Sequence, residues 1–126
     1  MVSPAQWRPY FNLWVQNEGY AVYAPLRLRR ELNFLAERDY RVLLDVDLLE
    51  AHRVAFLETL DRLQQDEQLT QDEYLECCFG PMRLTYRMGC ELIRRIESVY
   101  GLEAVRDAFY LDGDRFLEMY KGLLET

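Results

Sequence analysis

The sequence predicts an all-α fold: one single-domain bundle of five to seven helices spanning residues 1–126. Three observations carry this. Apolar residues recur at spacings of three and four along most of the chain. No stretch sustains two-residue alternation with β-branched enrichment. Turn formers are scarce, with six Gly and four Pro among 126 residues, so long loops have little material. Half of the residues are hydrophobic, including two Trp, nine Tyr and six Phe, which is too apolar for disorder and enough for a real core.

The first helix is expected to open with Ser3 as N-cap and Pro4 at the first helical position, or after Pro9, which falls within its first two turns. It runs to about Ala24, where Pro25 is expected to break or kink it, because the residue before a proline avoids the α region. Gly19 inside this helix suggests the close approach of another backbone, since glycine there costs about 1 kcal/mol relative to alanine. A second helix continues from Leu26 to about Arg38, with a joint at Asp39 and Tyr40. The third is long, Val42 to about Gln65, with Val46, Leu49, Arg53, Phe56, Leu60 and Leu63 on one face. Thr70 and Glu73 have capping-box spacing and start a short helix through Phe79. Gly80-Pro81 separates it from Met82–Tyr100, which is apolar on two sides and is therefore expected at the centre of the bundle. Gly101 ends that helix. A short helix from Glu103 to Tyr110 follows, then the turn Asp112-Gly113, with Asp114 as candidate cap of a last helix to Leu124.

Formal net charge is −7, a poor match to a phosphate backbone, so nucleic-acid binding is not expected. The clusters Arg27/Arg29/Arg30 and Arg94/Arg95 read as solvated faces paired with nearby acids. No apolar run reaches the roughly 18 residues needed to span a membrane, and no signal-peptide pattern opens the chain, so a cytoplasmic protein with no membrane association is expected. Cys77, Cys78 and Cys90 are odd in number and form no disulfide framework. They read as free thiols of a reducing compartment. His52 is the single histidine, and it reads as a helix residue at the edge of a core. No HExxH, GxxxxGK[ST] or GxGxxG is present. The acidic pairs Asp45/Asp47 and Asp112/Asp114 fall at a helix start and a turn, where capping explains them better than a cation.

The most informative stretch is Trp7–Tyr23. At about 100° per residue, Trp7, Phe11, Trp14, Glu18 and Ala21 fall within about 60° of one another, flanked by Tyr10 and Val22. Glu18 therefore sits on the most aromatic face of the chain, where a carboxylate is paired, protonated or a ligand. It is expected to face the interior or a pocket, with Arg83, Arg87 or the Tyr86 hydroxyl as partner.

The segment Asn17–Tyr23, NEGYAVY, resembles the EGxAxY segment of helical gluzincin-type zinc metallopeptidases. Gly80–Gly89 and Ile96–Gly101 resemble the helix that closes such sites, and Asp114–Tyr120 resembles a terminal F-x-x-x-Y phrase. The resemblance covers most of the chain, but only as the C-terminal half of the usual catalytic domain. It implies that Glu18 is the third zinc-ligand position and that Tyr86 and Arg83 line the site. The HExxH helix, which gives two ligands and the general base in that family, is missing. The chain is therefore expected to hold no cofactor and to be inactive alone, zinc entering only in a complex completed by a partner carrying the missing half. The alternative is a non-enzymatic helical interaction or homo-oligomerisation module. In either case an assembly is expected, most simply a symmetric dimer burying the Trp7/Phe11/Trp14 side.

Overall fold

The computed structural model describes residues 4–32, 45–64, 70, 72–73, 75–76 and 84–125. Among them there is no strand, and five α-helices with a closing 3-10 turn account for nearly every residue. The helices are α1 (Pro4–Glu31), α2 (Val46–Gln64), α3 (Leu84–Tyr100), α4 (Leu102–Phe109) and α5 (Gly113–Tyr120), followed by the turn Lys121–Leu124. The all-α expectation holds.

α3 is the central element, as its two apolar sides imply. It buries Leu84, Met88, Cys90, Leu92, Ile93 and Ile96 and touches α1, α2, α4 and the closing turn. Buried side chains from all five helices join it in one cluster. Within this cluster the Phe11 ring of α1 stacks on Phe56 of α2, with centroids 5.8 Å apart. Such a pair contributes about 1 kcal/mol beyond the area it buries. On α2 the buried line is His52, Phe56, Thr59 and Leu63, while Val46 is exposed, so the helix is rolled slightly from the face that Val46 would mark.

Pro25 does not end the first helix. α1 continues through it to Glu31, and the expected separate helix from Leu26 is its last part. The reason lies on both sides of the proline. Pro25 and Ala21, whose carbonyl loses its N–H partner, are exposed, so water can take up that carbonyl. On the opposite side Glu97 of α3 gathers α1 residues from before and after the proline. The Tyr23 hydroxyl donates to it at 2.6 Å, and Arg27 and Arg30 lie 3.6 and 3.8 Å away. Tyr23 and Leu26 are buried beside these contacts. The expected end at Arg38, the joint at Asp39 and Tyr40 and the start at Val42 lie outside the described residues.

Gly19 is a contact between backbones, as its place in the helix suggested. A Cβ on it would sit 2.6 Å from the Gly89 carbonyl carbon and 2.8 Å from the Gly89 Cα. A Cβ on Gly89 would run into the Val15 carbonyl oxygen and sit 2.8 Å from the Gly19 Cα. α1 and α3 therefore cross glycine to glycine. A second such seat lies at Gly113, where a Cβ would be 2.6 Å from the Leu13 nitrogen.

Helix ends are satisfied by named groups. Asp45 accepts from the Leu48 N–H at 3.0 Å. Thr70 and Glu73 form the reciprocal capping box, each backbone N–H donating to the other's side chain at 3.1 Å. Gly101 closes α3 at φ 90°, a conformation that favours glycine, and its N–H donates to the Glu97 carbonyl. α5 is capped by Asp112, which accepts from the Arg115 N–H at 2.8 Å, and not by Asp114. Asp114 instead accepts from the Asn12 side-chain amide at 2.8 Å, which ties α5 to α1. Arginines take carbonyls at other helix ends. Arg8 donates to Leu63, Arg53 to Leu124 and Arg95 to Leu123, at 2.9, 2.7 and 2.6 Å. The expected starts and ends at Phe79, Gly80-Pro81 and Met82 lie outside the described residues. No helix among the described residues is long and apolar enough to cross a membrane.

Candidate functional site

The face of α1 that enters the core is not its most aromatic one. Phe11, Val15, Gly19, Tyr23 and Leu26 are buried, while Trp14 is half-buried and Ala21 exposed. The side chain of Trp7 lies outside the described residues. The rotation follows from the glycine crossing. The backbones meet at Gly19, so the residues one turn on either side of it, Val15 and Tyr23, go inward. Glu18, next in sequence to Gly19, comes to the margin of the contact. It is half-buried, and it forms no hydrogen bond or ion pair with the described residues.

Of the partners expected for Glu18, Arg83 lies outside the described residues. Tyr86 is half-buried one turn before Gly89 and so belongs to the side of α3 that meets α1. Arg87 turns to α2. Its guanidinium nitrogen sits 3.1 and 3.2 Å from the two ring nitrogens of His52, which places the cation against the imidazole. His52 is 5% exposed, and burial first, the Arg87 charge second, hold its pKa below the usual imidazole value. A buried neutral imidazole beside a fixed cation is a structural contact.

No family model matches the chain, and no curated protein or solved structure is similar to it.

Among the described residues no group of three or more His, Cys, Asp or Glu could hold a metal ion. Glu18 offers one carboxylate, whereas zinc takes three or four protein ligands or three and a water. The described residues do not fit a zinc ion without further donors. Cys90 is buried, and burial pushes its thiol up to about 12, which disfavours the thiolate that a nucleophile needs at neutral pH. Cys77 and Cys78 lie outside the described residues. The arginine clusters pair with acids. Arg27 meets Glu31 at 3.3 Å, and Arg94 and Arg95 meet Glu91 at 3.2 and 3.1 Å.

One group of α1 residues escaped the sequence reading. Asn12, Gln16 and Tyr20 lie four apart and form a polar seam beside the core stripe. Asn12 reaches Asp114. The buried Gln16 amide donates to the carbonyls of Ala108 and Leu111 at 3.0 and 2.7 Å, and the Tyr20 hydroxyl donates to the Val105 carbonyl. Burial pushes the Tyr20 phenol up, so it remains a donor. The seam holds α4, the turn after it and α5 along α1. Its i, i+4 spacing was the available signal, hidden because the aromatic stripe next to it is the stronger pattern.

Proposed function

We propose that this chain is a metallopeptidase-like helical domain, inactive alone, that presents Glu18 as one carboxylate of a site completed by a second polypeptide. The observation that supports this reading is the state of Glu18. It is half-buried beside the Gly19–Gly89 backbone contact, and it has no partner among the described residues. A carboxylate whose neighbours are fixed by a glycine crossing is preorganised, and its own valence is unspent. Tyr86 and Arg83 line the same site in this reading, and zinc belongs to the completed complex. Such a complex suits the cytoplasm, where the free Cys90 thiol stays reduced.

The test is reconstitution. The chain is mixed or co-expressed with a protein that carries an HExxH helix, and complex formation and zinc-dependent peptide hydrolysis are measured. Activity that appears only in the mixture, and is lost in Glu18→Gln while the complex persists, supports the proposal. Full activity of the Glu18→Gln mixture would overturn it.

A second reading, an interaction or homo-oligomerisation module without chemistry, is favoured by the outer side of α1. Tyr10 and Leu28 are each 56% exposed and Leu13 is 41% exposed, on the side that also carries Asn17 and Ala21. Phe11 is fully buried within one chain, so a dimer cannot use it as the Trp7/Phe11/Trp14 scheme required. An assembly would use Tyr10, Leu13 and Leu28 instead. Light scattering at micromolar concentration, with Leu28→Asp as the disrupting variant, separates a dimer from a monomer.

A further inference from the structure

A cavity of about 330 Å³ opens between α1, the end of α2, and α5 with its closing turn. Its size lies near the lower end of small-molecule sites, roughly 300–1,000 Å³. Leu63 and Leu117 supply apolar wall. Lys121 brings an ammonium that makes no hydrogen bond or ion pair with the described residues, Arg8 brings a guanidinium that donates to the Leu63 carbonyl, and Glu118 brings a carboxylate with no hydrogen bond or ion pair among the described residues. Between these charges stand Asn12 and Asp114. Asn12 is only 7% exposed, and its amide nitrogen donates to Asp114, which settles which end of the amide is oxygen. That oxygen is buried and accepts no hydrogen bond. An unmet buried acceptor is uncommon in a folded protein and asks for a donor from outside the chain.

We infer that this cavity binds a free α-amino acid with an aliphatic side chain. The ligand's ammonium supplies the missing donors. It has three N–H groups, for the Asn12 oxygen, Asp114 and Glu118. Its carboxylate faces Lys121, and its side chain lies on Leu63 and Leu117. A ligand carrying one charge alone engages only the cations, Arg8 and Lys121, or only the carboxylates, Asp114 and Glu118. This site is separate from Glu18 and does not depend on how that residue functions.

L-Leucine is titrated into the full chain, with calorimetry and the shift in melting temperature as readouts. Leucinamide, which keeps the ammonium and loses the carboxylate, and 4-methylpentanoate, which keeps the carboxylate and loses the ammonium, are run in parallel. Saturable binding of L-leucine, at least about tenfold tighter than either analogue, is expected. Lys121→Ala, at a partly exposed position that should not impair folding, should weaken L-leucine binding by about tenfold or more and leave leucinamide unchanged. No saturable response to millimolar L-leucine in the wild-type chain overturns the inference. So does equal binding of L-leucine and 4-methylpentanoate, or an unaltered affinity in Lys121→Ala.

Discussion

Replacing Gly89 by alanine tests the central packing of the fold with a single methyl group. The new Cβ would overlap the Val15 carbonyl oxygen and lie 2.8 Å from the Gly19 Cα and 3.1 Å from the Gly19 nitrogen. All three are backbone atoms of α1, so no side chain can rotate away. The helices must separate, and the buried side chains next to the crossing, among them Val15 and Met88, lose contact together. Overpacking costs about 1–3 kcal/mol where side chains can adjust, and a backbone clash belongs at or above the upper end. Against this, alanine gains up to about 1 kcal/mol over glycine in a helix interior. The clash wins, and a net loss of about 2 kcal/mol or more is expected. For a chain of this length that is a fall in melting temperature of roughly 6–10 °C. Urea unfolding followed by circular dichroism at the helix minimum measures it. Gly122→Ala is the control, because a Cβ there meets nothing within 4 Å, and it should lie within about 0.5 kcal/mol of the wild type. A Gly89→Ala protein as stable as the wild type, with an unchanged denaturant slope, would refute the glycine crossing.

Three further outcomes follow from the same contacts. Gln16→Ala removes the side-chain donor of the Leu111 carbonyl and one of the donors of the Ala108 carbonyl, which keeps the Leu111 N–H, and should cost about 1–3 kcal/mol, with hydrogen exchange rising first between α4 and α5. His52 has a folded pKa below its unfolded value of 6.5, so the unfolded chain binds the extra proton between the two values. Its contribution is complete above pH 6.5 and is lost as pH falls from there toward the folded pKa. His52→Gln should therefore flatten the stability curve between pH 7 and 5, and a slope identical to the wild type would count against a neutral buried ring. Glu18→Ala removes no hydrogen bond or ion pair among the described residues, so its unfolding free energy should match the wild type within about 0.5 kcal/mol. A loss near 3 kcal/mol would reveal a buried ion pair instead.

Periodicity made the helices legible, and local chemistry made several ends legible. The Thr70/Glu73 box and the Gly101 terminus depend only on residues a few positions apart. Pro25 misled because its effect depends on the far side of the helix. The rule for a proline concerns the backbone alone, and it says nothing of a Glu97 on another element that draws in Tyr23, Arg27 and Arg30. The capping role moved from Asp114 to Asp112 for a similar reason, since Asp114 is committed to Asn12, 102 residues away in sequence. Glu18 could be placed on a face but not given a surrounding. Which face of α1 goes inward is decided by the backbone meeting at Gly19, and a glycine contributes nothing to an apolar moment.

That last point explains how one helix can carry two surfaces. Side-chain size would have buried Trp14 and with it the whole aromatic side. The crossing at Gly19 instead gains its energy from the close fit of two backbones and the aliphatic residues around them. The inward arc is then occupied by Phe11, Val15, Tyr23 and Leu26, and its border by Asn12, Gln16 and Tyr20, each holding the C-terminal helices in place. What remains of the circumference carries Tyr10, Leu13 and Leu28 exposed, with Glu18 at the margin between the two surfaces. A carboxylate at that margin is held by the core through its neighbour Gly19 and is still reachable from outside. In the proposed reading this is the arrangement that a residue whose partner is another molecule needs.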